Sequence, residues 1–185
     1  MRIISGSKKG KKILQPKDQT TRPLKDLAKE SIFNILKHSN SLSVEIEKSD
    51  ILDLFSGVGS FGLECLSRGA ASVIFLENYK EAILILKKNI SNLNFIKSSK
   101  ILIEDVFNDK VLQKFDQKFD IIFIDPPYKE KKLNQLVEKI IRLKMLKKNG
   151  ILIIHRHKKE KDIFPKEFKI LKQNTYGVSK IIFGN

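Results

Sequence analysis

Residues 50–66 read Asp-Ile-Leu-Asp-Leu-Phe-Ser-Gly-Val-Gly-Ser-Phe-Gly-Leu-Glu-Cys-Leu, an apolar run that gives way to three spaced glycines and then to a second apolar stretch. Ile51, Leu52, Leu54 and Phe55 are nearly continuous, as in a parallel strand covered on both faces. Gly57, Gly59 and Gly62 form GxGxxG, a turn that tolerates positive φ, admits a ligand close to the backbone and aims the free N–H groups of the next helix at it. The stretch therefore predicts strand, turn and helix, and a nucleotide-like ligand. A glycine-rich connection without a ligand fits the same letters, so other segments must decide. Asp53, the one charge inside the strand, is the first candidate site residue.

The segments that follow repeat the strand–helix alternation. The helix through Leu66 ends at Arg68-Gly69, Ser72 to Leu76 reads as a second strand, and Glu77 stands at its end. That is close to where nucleotide-binding folds place a carboxylate on ribose hydroxyls. Tyr79 to Ile90 is helical, with Ile83, Leu86 and Ile90 turned inward. Lys100 to Ile103 is a third strand, and Asp105 beyond it could hydrogen-bond an adenine amino group or cap the next turn.

Phe119 to Ile124 is a buried strand that stops at Asp125-Pro126-Pro127-Tyr128. Each proline fixes its own φ and restricts the residue before it, so the carboxylate and carbonyls here point in defined directions. A flat base could stack on Tyr128 while its exocyclic amine donates to Asp125 and to the Pro126 carbonyl. Leu133, Leu136, Val137, Ile140 and Ile141 mark the next helix, and Ile151 to Ile154 the next strand. His155, Arg156 and His157 follow without cysteines, which predicts a basic surface rather than zinc ligands. Phe168 to Leu171 and Lys180 to Phe183 predict two antiparallel strands joined through Tyr176-Gly177.

Before residue 50 the chain is of another character. Arg2, Lys8, Lys9, Lys11 and Lys12 precede any acidic residue, and Ile3-Ile4 and Ile13-Leu14 flank a glycine-bearing loop, which reads as a short hairpin showing lysines to phosphates or as a solvated tail. Leu24, Leu27, Ala28, Ser31, Ile32, Ile35 and Leu36 then share one helix face, with Thr21 placed to cap it and Pro23 in its first turn; Ser39 to Ser49 reads as a linker. The expected organisation is a basic arm over 1–19, a leading helix and linker over 20–49 and a ligand-binding domain over 50–185. Overall 36 basic residues face 21 acidic ones, a formal charge of +15, which points to a nucleic-acid partner although lysine-rich composition contributes. No apolar run is long enough to span a membrane, so a soluble, cytoplasmic protein is expected. Cys65, the single cysteine, excludes an internal disulfide and reads as a packing residue.

Asp53 through Gly59, then Glu77, Asp105 and Asp125 to Tyr128, resemble in order the class I S-adenosylmethionine-dependent amino methyltransferases. With Thr21-Arg22-Pro23, Asp26, Lys29-Glu30, Phe33-Asn34-Ile35-Leu36, Gly62-Leu63-Glu64, Ser67-Arg68-Gly69-Ala70 and Tyr176-Gly177, the chain resembles the bacterial 16S rRNA guanine(966)-N2 methyltransferase family over nearly its whole length. The resemblance implies a Rossmann-like α/β fold, a seven-stranded, mostly parallel sheet with a reversed last strand. It implies that Asp53, Phe55, Ser56, Gly57 and Gly59 hold the methionine part of S-adenosylmethionine, Glu77 its ribose and Asp105 its adenine. Asp125, Pro126, Pro127 and Tyr128 would hold the guanine, with Arg2, Lys8, Lys9, Lys11, Lys12 and Arg22 on the RNA. It further implies a monomer without metal, acting on 16S rRNA within an assembled small subunit. A DNA adenine-N6 methyltransferase, an NAD-dependent oxidoreductase and a non-catalytic RNA-binding module each explain part of the pattern. The first lacks a target-recognition domain here, the second leaves Asp125 to Tyr128 unused, and the third needs no acidic residues at three strand ends.

Overall fold

The computed structural model describes residues 1–16, 26–40, 42–108, 110–127 and 129–185. The expected cap at Thr21, Arg22, Pro23, the helix-face residue Leu24 and the stacking residue Tyr128 lie outside them. Seven strands, β1 (Asp50–Leu54), β2 (Ser72–Glu77), β3 (Ser99–Ile103), β4 (Phe119–Ile124), β5 (Leu146–His157), β6 (Ile170–Tyr176) and β7 (Ser179–Gly184), form one sheet in the order β3-β2-β1-β4-β5-β7-β6. The first five run parallel, and β7 pairs antiparallel with both β5 and β6. This is the Rossmann-like arrangement expected, with its reversed strand.

Strand alternation explains why the apolar runs are continuous. Ile51, Phe75, Phe123, Ile153 and Phe183 face a core shared with α1 (Asp26–His38), α2 (Ser60–Ser67) and α3 (Lys80–Asn92). Their neighbours Leu52, Ile74, Ile122, Leu152 and Ile182 face a second core closed by α4 (Leu133–Arg142) and residues 106–119. Both faces are buried, so neither set can be polar. Phe33 stacks on Phe61 and Phe61 on Phe123, at ring-centroid distances of 5.3 and 4.0 Å, tying α1 through α2 to the sheet.

Several boundaries differ from expectation. Leu27 is 65% exposed, because the buried stripe of α1 runs through Ala28, Ile32, Ile35 and Leu36, and the position before Ala28 is rotated away from it. The expected strand over Lys180 to Phe183 lies within β7, but β6 begins later than its apolar run: Phe168 is a core residue packed over Gly184 rather than part of the strand. Leu42 and Val44, in the expected linker, are buried against the first core.

Of the two readings of the basic N-terminus the short hairpin is the one seen, with Ile3 N–H donating to the Lys11 carbonyl (2.9 Å) and Ile13 N–H to the Met1 carbonyl (3.0 Å) across an antiparallel pair. Arg2 and Lys12 form a single bridge, and Ile3 and Ile13 are fully buried in the first core. Its loop is latched onto α2: the buried Glu64 carboxylate accepts from the backbone N–H groups of Ile4 (2.7 Å) and Ser5 (2.9 Å) and from Arg68 Nε (2.8 Å), with Lys29 Nζ 3.8 Å away. A charge this deep is tolerable only because its acceptor sites are filled. Ser7 N–H donates to the Ser67 carbonyl and Lys8 N–H to Ser67 Oγ. The lysine-bearing tip therefore sits at the C-terminal end of α2, opposite the glycine turn.

Candidate active site

Parallel register lines up the strand ends. Leu54 pairs with Leu76 and with Ile124, and Ile124 with Ile154, so Phe55, Glu77, Asp125 and His155 follow at one level along the carboxyl edge of the sheet. Open α/β sheets gather ligands at this edge, where helix N-termini and unpaired backbone groups converge.

The glycine turn is held from two sides. Gly57 N–H donates to Glu77 Oε2 (2.7 Å), and Asn89 of α3 donates to the Val58 carbonyl (3.1 Å). The glycines do different work. Gly57 has φ +54° with open space where a side chain would stand, whereas a Cβ at Gly62 would come within 2.4 Å of Phe75 and 2.7 Å of Val73. Gly62 thus lets α2 pack on β2, and Gly57 faces the site.

Asp53 lies buried beneath this turn, its Oδ2 accepting from Gly62 N–H (3.0 Å). Burial holds its carboxyl well above the usual value of 3.8; the Gly62 bond opposes this, and the charges of Asp125 and Glu77 add to it. Its Oδ1, with Ser56 Oγ and Ser60 Oγ, has no hydrogen-bond partner among the described residues. Buried polar atoms are seldom left so, and each costs about 1–3 kcal/mol. An acceptor and two hydroxyls beside an open turn fit the ammonium and carboxylate of an amino-acid group, which S-adenosylmethionine carries.

Glu77 and Asp105 are engaged with backbone. Glu77 Oε1 accepts from the N–H groups of Asn78 and Tyr79, both at 2.9 Å. Asp105 is exposed, and of its two readings the turn cap is the one seen, Oδ1 accepting from Phe107 N–H at 2.9 Å. Phe55, at φ +57°, meets Phe107 with ring centroids 5.7 Å apart. Cys65 is buried and its thiol is pushed up by that burial, as suits a packing residue.

Sequence reading missed what stands behind Asp125. His155 and Arg156, expected on a basic surface, are 4% and 2% exposed. His155 Nδ1 lies 2.7 Å from Asp125 Oδ1, and its Nε2 lies 2.8 Å from Ser179 Oγ on β7. Arg156 donates to the carbonyls of Pro127 (3.4 Å) and Glu130 (3.2 Å) and pairs with Asp162 (3.0 Å). The correction has a physical cause: β5 runs through to His157 and is flanked by β4 and β7, so its last side chains are enclosed. Their position at a strand end, level with Glu77 and Asp125, was the available signal. No group of three potential metal ligands occurs among the described residues, and no helix among them is long and apolar enough to cross a membrane.

A family profile described as Conserved hypothetical protein 95 matches residues 1–185. The chain is 37% identical over 172 residues to Ribosomal RNA small subunit methyltransferase D of Buchnera aphidicola subsp. Acyrthosiphon pisum, covering 92% of this chain and 85% of the relative. It is 33% identical over 179 residues to the protein of that name from Haemophilus influenzae, covering 96% and 90%. Among solved structures, a candidate methylase from Haemophilus influenzae superposes with a TM-score of 0.77 at 31% identity, over 99% of this chain and 96% of that one.

Proposed function

The chain belongs to the family described as Conserved hypothetical protein 95, and from that premise we infer that it transfers a methyl group from S-adenosylmethionine to the exocyclic N2 of a guanine in 16S RNA of the small ribosomal subunit. One observation carries the reading. The ends of adjacent strands β1 and β4 bring a buried carboxylate with an unpartnered oxygen, Asp53, near an acceptor carboxylate braced from behind, Asp125. The two are close enough for the charge of Asp125 to raise the pKa of Asp53. Donor and acceptor sites thus meet at one edge.

S-adenosylmethionine, when bound, supplies an electrophilic methyl group on a sulfonium centre. Asp53, Ser56 and Ser60 would hold its amino-acid end, and Gly57 leaves room for it. The chain's own task is to reshape the guanine amine, whose lone pair is delocalised into the ring. Asp125 and the Pro126 carbonyl accept its two N–H bonds and turn the lone pair toward the methyl group, a positioning effect. Positive charge then develops on nitrogen, and the carboxylate stabilises it. The methylated ammonium is acidic and releases its proton without a strong base. The base must be unpaired or flipped out to reach this edge.

His155 is a positioning residue in this scheme. Opposite an ionised Asp125 the ring presents a proton on Nδ1; in the neutral tautomer Nε2 then accepts from the Ser179 hydroxyl, and Oδ2 of Asp125 is left for the amine. His155→Asn keeps an N–H near the Nδ1 position, whereas His155→Gln reaches toward Ser179. The Asn variant is expected to keep turnover within about threefold and the Gln variant to lose about 10- to 100-fold, since misplacement of about 1 Å can cost that much. Equal losses in both, with cofactor affinity intact, would reduce His155 to packing.

The function itself is tested by transfer of labelled methyl from S-adenosylmethionine to small subunits lacking the modification, to naked rRNA and to duplex DNA. N2-methylguanosine from subunits is the expected product. Label in DNA adenine would overturn the substrate, and no transfer to any of them would overturn the activity.

A further inference from the structure

Two loops at the carboxyl edge are rich in lysine: Lys129, Lys131 and Lys132 follow the acceptor motif, and Lys158, Lys159 and Lys161 follow β5. All six are exposed. In sequence such runs are ordinary solvated faces, and the interspersed Glu130, Glu160 and Asp162 soften them. The fold offsets most of that softening. Asp162 turns inward to the buried Arg156 at 3.0 Å and meets Lys180 at 3.6 Å, and the part-exposed Glu160 pairs with the same guanidinium at 3.5 Å. Glu130 bends back to its own loop, accepting from Lys132 N–H at 2.7 Å. Asp162 and Glu160 are thus offset by Arg156 and Lys180, Asp162 nearly buried and Glu160 still 40% exposed, while all six lysines stand exposed.

The same guanidinium joins the two loops. Arg156 donates to the carbonyls of Pro127 and Glu130 in the first and pairs with Asp162 and Glu160 in the second. Lys158 N–H donates to the Val178 carbonyl, pinning the second loop to the β6–β7 turn. The result is one basic rim, fixed by a buried network and adjoining Asp125 through His155. The N-terminal hairpin tip is elsewhere, at the far end of α2, about 12 Å of helix rise from the glycine turn.

We propose that this rim, residues 129–132 and 158–161, grips the phosphates of the RNA strand flanking the target guanine, and that the hairpin lysines do not. The proposal rests on the methyltransferase reading. Charge complementarity selects a polyanion, and proximity to Asp125 selects the stretch of strand that carries the reacting base. Strand phosphates gripped beside a splayed-out base are what an unpaired target offers.

The test compares a rim variant (Lys131→Gln, Lys158→Gln, Lys159→Gln, Lys161→Gln) with a hairpin variant (Lys9→Gln, Lys11→Gln, Lys12→Gln). Methyl transfer to unmodified small subunits is measured across a KCl series, together with S-adenosylmethionine affinity and filter binding of an rRNA fragment bearing the target. The rim variant is expected to raise KM about tenfold or more and to flatten the log–log salt slope by about 0.7 for each single-strand phosphate no longer neutralised. Its cofactor affinity should match wild type. An unchanged slope and KM, a loss confined to kcat, or a hairpin variant as impaired as the rim variant would each overturn the proposal. Wild-type protein inactive on subunits would instead overturn the methyltransferase reading, and the RNA-binding slopes would still decide the rim.

Discussion

Asp125→Ala is expected to lower methyl transfer by about 100- to 1,000-fold while cofactor affinity is kept or slightly improved. The size follows from removing a preorganised group that acts where charge develops, which typically costs that much. The second half follows from electrostatics. Asp125 is one of the charges that raise the carboxyl of Asp53, so its removal makes Asp53 easier to ionise. His155 loses its partner, so the variant's melting temperature should be recorded beside turnover. Near-normal turnover on small subunits would sink the acceptor role.

Asp53→Asn should separate stability from binding. A carboxyl whose folded pKa is raised gives its full stabilisation below the unfolded value of about 3.8, and loses it as pH rises through the folded value. Ligand-free wild type should therefore lose melting temperature with rising pH from this group, while Asn keeps the bond from Gly62 and has nothing to ionise. The variant is expected to melt at or above wild type, by a margin that widens with pH. With cofactor the order reverses, because Oδ1 is the atom available to an ammonium. Losing one partner of a buried charge pair costs about 2–5 kcal/mol, so affinity should fall about 100-fold. Wild-type affinity should also weaken as pH falls and Asp53 takes up its proton. Thermal melts and calorimetry over pH check both halves; parallel melts together with equal affinities would leave Asp53 a structural residue.

Short-range pattern carried the parts of this protein that depend on local chemistry. The parallel strands were legible because burial on both faces forces unbroken apolar runs such as Ile51-Leu52 and Ile121 to Ile124. The turn was legible because Gly62 stands where a Cβ would meet Phe75 and Val73, and Gly57 takes a positive φ that glycine adopts at least cost. Asp53, Glu77 and Asp125 were legible because a carboxylate at the end of an apolar strand is costly unless it is used.

Tertiary structure decided everything that depends on which side chains meet across distance. The same basic letters became opposite things: Arg156 is an enclosed clamp, whereas Lys158, Lys159 and Lys161 are exposed. His155 acquires its meaning only when β4, β5 and β7 lie side by side, since Asp125 is 30 and Ser179 24 residues away along the chain. Composition counts charges, but burial and partners determine which of them solvent or a ligand can feel.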